Sequence, residues 1–288
     1  MDMEKLIAEI TEEVYKKLSS DTSFAAASAS GLPNQPPYLK KKLSKYVDHT
    51  LLKPAADEGQ IRKLCETAVK YDFASVCVNP GYVPLVKELL RNSGVNTCCV
   101  IGFPLGATTT EAKCRETADA IHNGADEVDM VINVGAIKSN NWALVKSDIE
   151  GVCMVARGKA LVKVIIESVL LTDEEKVKAC TASKLAGAQF VKTCTGFGTG
   201  VATVEDIRLM RKTVGPDMGV KASSGIRSYK DALAMIEAGA DRLGTSAGPK
   251  IIDEAMGKPA ADDHVCINCG ACKKQCPTGN ATIICTKY

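Results

Sequence analysis

Between residues 40 and 257 the sequence alternates between two kinds of segment. Short apolar runs rich in β-branched residues fall at 47–52, 75–79, 97–103, 127–134, 161–168, 190–195, 219–223 and 241–246. Helical patterns separate them at 57–71, 81–93, 110–123, 141–156, 173–187, 203–214 and 228–238, and a last one covers 248–256. Strands separated in this way by helices predict a parallel sheet with helical crossovers. Eight strand–helix units is the number that closes an α/β (β/α)8 TIM barrel. An open doubly wound sheet is the alternative, but no Gly-x-Gly-x-x-Gly fingerprint follows the first strand.

Composition removes several function classes. The chain is 45% hydrophobic and 24% charged, ordinary for a folded globular protein. Its 36 basic and 34 acidic side chains leave a formal charge of +2. That balance argues against a nucleic-acid binder driven by bulk charge. No run of 18 apolar residues exists, so no membrane span is expected. The charged N-terminus lacks the apolar stretch of a secretory signal. A reducing cytosol is therefore expected, with the eight cysteines scattered through 65–194 as free thiols.

A TIM barrel presents its reacting groups at the C-terminal ends of its strands. The polar residues there are those of the Asp48–Lys53 segment, Asn79, Asp129 with Asn133, Glu167, Lys192, and Lys221 with Ser223 and Ser224. Lys192 and Lys221 lie inside strand patterns, where burying an uncompensated charge is expensive. Adjacent strands 6 and 7 place the two amines near each other. Burial and mutual repulsion both predict a neutral amine able to attack a carbonyl, with Asp129 placed to carry protons. His49 reads as a structural histidine, and Glu167 as a carboxylate paired with a nearby lysine. Loops of small residues follow the last three strands: Thr195–Gly198, Ser223–Arg227 and Gly244–Gly248. Such loops let backbone N–H groups approach an anion, which predicts a phosphate site.

Several segments resemble the class I deoxyribose-phosphate aldolase family. They are Asp48–Pro54, Val76–Pro80, Val100–Gly106, Gly124–Gly135, Lys163–Glu167, Phe190–Thr193 and Val220–Ala222. The resemblance implies a (β/α)8 barrel that reversibly cleaves 2-deoxy-D-ribose 5-phosphate to acetaldehyde and D-glyceraldehyde 3-phosphate. It implies no metal or cofactor for that chemistry. Lys192 matches the Schiff-base lysine, and Asp129 with Lys221 the proton-relay pair. Asp48, Thr50 and Cys77 match residues lining the substrate pocket. Gly196, Gly225, Arg227, Gly244 and Ser246 match positions around the phosphate. Two departures stand out: Ser224-Gly225 where the family often has Gly-Gly, and Ser246-Ala247 where it often has Ser-Ser. They leave open an aldolase for another phosphorylated sugar. A catalytically inactive iron–sulfur electron-transfer or scaffold protein is the more distant alternative, disfavoured by the intact Lys192, Asp129 and Lys221.

The two ends follow a different logic. Residues 1–18 hold an amphipathic helix, with Met3, Leu6, Ile7, Ile10, Val14 and Leu18 at helical spacing. Residues 19–39 form a linker; twelve of the nineteen residues 19–37 are Ser, Ala or Pro. Helix and linker together resemble the encapsulation peptides that load enzymes into bacterial microcompartments. The resemblance implies a shell-protein partner for residues 3–18, while docking on the chain's own domain or in an oligomer contact remains the simpler reading. A homo-oligomer is expected, as is common among such barrels. Residues 258–288 form a cysteine-rich tail in which Cys266, Cys269, Cys272 and Cys276 have the bacterial ferredoxin-type spacing, with Pro277 after the last. That spacing predicts a [4Fe–4S] cluster; zinc and unligated thiols are the alternatives. Cys276, Cys285 or a cysteine of a second chain is open as the fourth ligand.

Overall fold

Period-two alternation along the strands decides which side chains face the helices and which face the barrel interior. The computed structural model describes Glu12 and residues 39–258. Eight parallel strands close in sequence order: β1 (Val47–Thr50), β2 (Ser75–Val78), β3 (Asn96–Ile101), β4 (Glu127–Val131), β5 (Leu161–Ile165), β6 (Phe190–Lys192), β7 (Gly219–Ser223) and β8 (Arg242–Thr245). The barrel closes by pairing β1 with β8, Asp48 lying opposite Gly244. The helices are α1 (Glu58–Tyr71), α2 (Val83–Leu89), α3 (Thr110–His122), α4 (Val134–Lys138), α5 (Trp142–Ala156), α6 (Asp173–Leu185), α7 (Val204–Val214), α8 (Tyr229–Glu237) and α9 (Gly248–Ala255). The chain thus forms a (β/α)8 barrel over these residues, and the open-sheet alternative is excluded.

The hydrophobic core lies between sheet and helices. Val128, Met130, Val162, Val164, Val191, Val220 and Leu243 are buried there with Ile149, Val152, Ile207 and Met210 of the helices. Val47, Val76 and Val78 pack with Ile61, Leu64 and Phe73 in the same way around the first two units. The alternate residues of the strands point into the barrel; they include charged side chains of β1 and β4–β8, beside Cys77, Cys98 and Val100 of β2 and β3. Capping boxes at Asp57, Thr172 and Ser228 fix where α1, α6 and α8 begin. Each cap stabilises by about 1 kcal/mol.

Several boundaries differ from the sequence reading. The run expected to be strand over 127–134 ends at Val131, because Asn133 accepts the Ala136 N–H at 3.0 Å and starts α4. The run 161–168 ends as strand at Ile165, and Glu167 takes a left-handed φ of 52° before a short 3-10 turn. The β6 strand stops at Lys192 rather than residue 195. Helix α2 stops at Leu89 rather than residue 93; Asn92, at φ 66°, cannot continue it.

All eight cysteines among the described residues are free. No helix among those residues is long and apolar enough to cross a membrane. The amphipathic helix of residues 1–18 (Glu12 excepted, which is helical and exposed), the linker, and the tail with Cys266, Cys269, Cys272, Cys276 and Cys285 lie outside the described residues.

Candidate active site

Period-two alternation puts Asp48, Glu127, Asp129, Lys163, Lys192, Lys221 and Arg242 inside the barrel, each from a strand. Asp129 is the meeting point. Its Oδ2 accepts from Lys192 Nζ at 2.9 Å and from Lys221 Nζ at 2.8 Å. Its Oδ1 accepts from Lys163 Nζ at 2.8 Å and from the Cys98 thiol at 3.3 Å. Asp129, Lys163 and Lys221 are fully buried, whereas Lys192 keeps 2% exposure. Of the three lysines, Lys192 alone is the last residue of its strand, at the C-terminal end of the barrel.

Burial opposes charge at Asp129, but the ammonium groups of Lys163, Lys192 and Lys221 overcome it and hold the carboxyl well below its usual range. Burial likewise opposes charge at Lys221, but the Asp129 and Asp48 carboxylates outweigh it and raise this amine above its ordinary value. This corrects one expectation. Burial and the neighbouring lysine do not make Lys221 neutral, because two carboxylates flank it. The two carboxylates favour the ammonium form of Lys221.

The other expected pocket residues divide. Asp48 is fully buried beneath the lysines, with Oδ2 2.6 Å from Lys221 Nζ and Oδ1 accepting from Ser75 Oγ at 2.7 Å. Cys77 is buried, pairing in register with Cys98 across β2 and β3. A hydrogen bond from Cys98 lowers the Cys77 thiol against the effect of burial. Cys77, Cys98 and Asp129 have donor atoms within 4.8 Å of one another. Both Asp129 oxygens already bind ammonium groups, so the trio suits the lysines better than a metal cation. Thr50 turns its hydroxyl to the Asp48 carbonyl at 2.8 Å. His49 lies on the opposite side of β1, 5.2 Å from the Phe73 ring, and burial lowers it to about 4. It packs away from the lysines, against Phe73. Among the described residues Glu167 pairs with no lysine; it accepts the Thr195 N–H at 3.1 Å and so ties the end of β5 to the loop after β6.

The small-residue loops gather at the same mouth. Gly196 and Gly225 both have φ 83°, and Arg227 and Ser246 are exposed after β7 and β8. A Cβ at Gly244 would lie 2.9 Å from Ser223 Oγ and 3.1 Å from Lys221 Cε, so only glycine leaves room beside the amine. Ser224 also has a left-handed φ, 76°, and its hydroxyl donates to the Gly200 carbonyl at 3.2 Å. A left-handed residue with a side chain costs roughly 1 kcal/mol. Ser224→Gly is therefore expected to raise the melting temperature by about 2 °C. An unchanged or lower value in a thermal melt would show that the serine hydrogen bond outweighs the strain.

The sequence reading missed Glu127, Lys163 and Arg242 as members of the site. The signal was present. Glu127 stands two residues before Asp129, and Lys163 sits between Val162 and Val164, so alternation alone turns both inward.

The chain is thus a parallel eight-stranded barrel that sets a lysine amine against a carboxylate at the C-terminal end of its strands, an aldolase-like arrangement. The profile of the DeoC/LacD family aldolases matches residues 42–254, and the chain belongs to that family. It is 65% identical over 223 residues to the deoxyribose-phosphate aldolase of Streptococcus sanguinis, covering 77% of this chain and all of that one. It is 62% identical over 214 residues to the deoxyribose-phosphate aldolase of Clostridium tetani, covering 74% of this chain and 99% of that one. Among solved structures, the tetrameric deoxyribose phosphate aldolase of Aeropyrum pernix superposes with a TM-score of 0.69 at 36% identity, covering 74% of this chain and 90% of that one.

Proposed function

We infer that the protein is a deoxyribose-phosphate aldolase that cleaves 2-deoxy-D-ribose 5-phosphate reversibly to D-glyceraldehyde 3-phosphate and acetaldehyde. The observation that carries this reading is the meeting of Lys192 and Lys221 on one oxygen of Asp129, in a chain 65% identical to such an enzyme. We assign Lys192 as the nucleophile. Its unprotonated amine adds to the C1 aldehyde of the open-chain sugar. Loss of water gives an iminium ion, which draws electrons from the adjoining C–C bond. Removal of the C3 hydroxyl proton breaks the C2–C3 bond. D-glyceraldehyde 3-phosphate leaves and an enamine stays on Lys192. Protonation of that enamine at carbon and addition of water release acetaldehyde and restore the amine. Asp129 accepts protons in these steps, and the charged Lys221 supplies them, directly or through water. Asp48, Thr50 and Cys77 shape the pocket; Gly196, Gly225, Arg227, Gly244 and Ser246 hold the phosphate. No metal or cofactor takes part in this sequence of steps.

Acetaldehyde with cyanoborohydride tests the assignment. A reduced two-carbon adduct on Lys192, located by peptide mass spectrometry, is the expected result. An adduct confined to another lysine would overturn it.

The proposal extends to what the relatives do not cover. The chain is divided as 1–18 helix, 19–39 linker, 40–257 barrel and 258–288 tail. The barrel assembles as a homo-oligomer, a reading supported by the tetrameric relative. Residues 3–18 dock on a microcompartment shell protein, which places the enzyme in the cytoplasm within such a compartment. Cys266, Cys269, Cys272 and Cys276 ligate a [4Fe–4S] cluster; this rests on their spacing alone. Anaerobic purification with iron and sulfide counted tests the cluster, and iron-free protein would refute it.

A further inference from the structure

The charges inside the barrel close on themselves. Lys163 Nζ lies 2.8 Å from Asp129 Oδ1 and 2.5 Å from Glu127 Oε2. Arg242 Nη2 donates to both Glu127 oxygens, at 2.9 and 2.7 Å, and Arg242 Nε donates to Asp48 Oδ1 at 2.7 Å. Asp48 Oδ2 lies 2.6 Å from Lys221 Nζ, which returns to Asp129 Oδ2 at 2.8 Å. Asp129, Lys163, Glu127, Arg242, Asp48 and Lys221 thus form a ring of alternating sign. Its three anions and three cations sum to zero. Lys192 hangs from the ring at Asp129 and is the one cation in excess.

We propose that Lys163, Glu127 and Arg242 are positioning residues for the aldol reaction. By closing this ring they supply Asp129 with counter-ions other than Lys192, and so leave the Lys192 amine free to lose its proton. The inference rests on the assignment of Lys192 as the nucleophile.

Position separates these three residues from the reacting atoms. Glu127 and Arg242 are the first residues of β4 and β8, at the end of the barrel opposite the mouth, whereas Lys192 is the last residue of β6. Lys163 is fully buried, and Glu127 sits at the first residue of β4, away from the mouth at which Lys192 lies. Packing alone does not account for them. TIM-barrel interiors are ordinarily filled by branched apolar side chains, and replacing a buried ion pair by apolar residues is often neutral or stabilising. Lys163 also fixes Asp129 mechanically. It takes Oδ1, so that Oδ2 is left facing both Lys192 and Lys221.

The ring's charge acts on Lys192 with a definite sign. The buried ionisable groups on the strands that enclose that amine are Asp48 on β1, Cys77 on β2, Cys98 on β3, Glu127 and Asp129 on β4, Lys163 on β5 with Glu167 beyond its end, Lys221 on β7 and Arg242 on β8. Removing the Lys163 charge leaves the ring at −1, and Lys192 becomes its counter-ion and keeps its proton to higher pH. Removing the Glu127 charge leaves the ring at +1 and drives the proton off Lys192 at lower pH. Removing both restores zero.

The test follows trapping of the acetaldehyde imine on Lys192 against pH in the wild type, Lys163→Met, Glu127→Gln and the double variant, with folding checked by circular dichroism. The acid-side midpoint is expected to rise by about one unit in Lys163→Met, a tenfold loss of trapping on that limb, and to fall by about as much in Glu127→Gln. The double variant is expected to return close to the wild-type midpoint. Singles that shift in the same direction, singles that do not shift, or a double variant that does not return would overturn the proposal. Should Lys163→Met fail to fold, Glu127→Gln decides alone: a downward shift supports the ring's role and its absence refutes it. A wild type without adduct on Lys192 would refute the aldolase assignment itself, an outcome distinct from an adduct whose midpoint does not move.

Discussion

Lys192→Met is expected to lower kcat for deoxyribose 5-phosphate cleavage by at least about 10⁴-fold, equivalent to ~5.5 kcal/mol of barrel-supplied transition-state stabilisation. The amine is the atom that bonds to the sugar, so no neighbouring group substitutes for it. Lys221 is the nearest alternative, and two carboxylates hold it as an ammonium. Methionine has nearly the length of lysine and carries no charge. Asp129 keeps Lys163 and Lys221 as partners after the change. The variant is therefore expected to fold with stability within about 1 kcal/mol of the wild type. Steady-state kinetics and a denaturant melt check both parts. Retention of more than about a hundredth of the activity would place the nucleophile elsewhere, since a bound substrate without covalent catalysis cannot supply that rate.

Asp129→Asn is expected to fail differently. The substitution keeps the side chain's shape and removes the charge on which Lys163, Lys192 and Lys221 converge. Lys163, Lys192 and Lys221 then share a buried space without their common carboxylate, and an amide oxygen is a poor substitute for it. Removing one partner from a buried ion pair costs roughly 3–5 kcal/mol. Stability should fall by about that amount, and activity by about 10³-fold through loss of the proton acceptor. The two variants thus separate chemistry from architecture: Lys192→Met loses turnover with the fold kept, whereas Asp129→Asn loses both. Urea unfolding of Asp129→Asn is the discriminating measurement. A stability loss under about 1 kcal/mol would mean that the lysines are compensated elsewhere and that Asp129 is not the keystone of the network.

The order of strands and helices is legible in the residues alone, because strand and helix periods differ and each strand run here is bounded by turn residues. Lys192, Lys221 and Asp129 are legible for a related reason: a charge inside an apolar strand is a conflict that only a partner resolves. Boundaries are less so. The ends of β4 and β5 look like strand in the sequence, since Ile132, Val134 and Ile166 are β-branched. They are ended by the Asn133 cap and by the left-handed Glu167, neither of which changes the apolar pattern. The lower half of the charged ring is easily overlooked, although Glu127, Lys163 and Arg242 carry the same inward phase as Asp129. A glutamate or arginine at a strand's first residue looks like an exposed end. Alternation carries the inward phase, and barrel closure supplies the buried partners that make such a charge tenable.

The number of strand–helix units and the family to which the residues belong were legible in the sequence without the fold, since both follow from local periodicity and short motifs. The tertiary structure decided the charge states. Whether a buried lysine is neutral or ionised depends on which carboxylates stand within about 3 Å of it. For Lys221 those are Asp48 and Asp129, 173 and 92 residues earlier in the chain. Closing the barrel brings them together, and nothing in the residues adjacent to Lys221 announces that meeting.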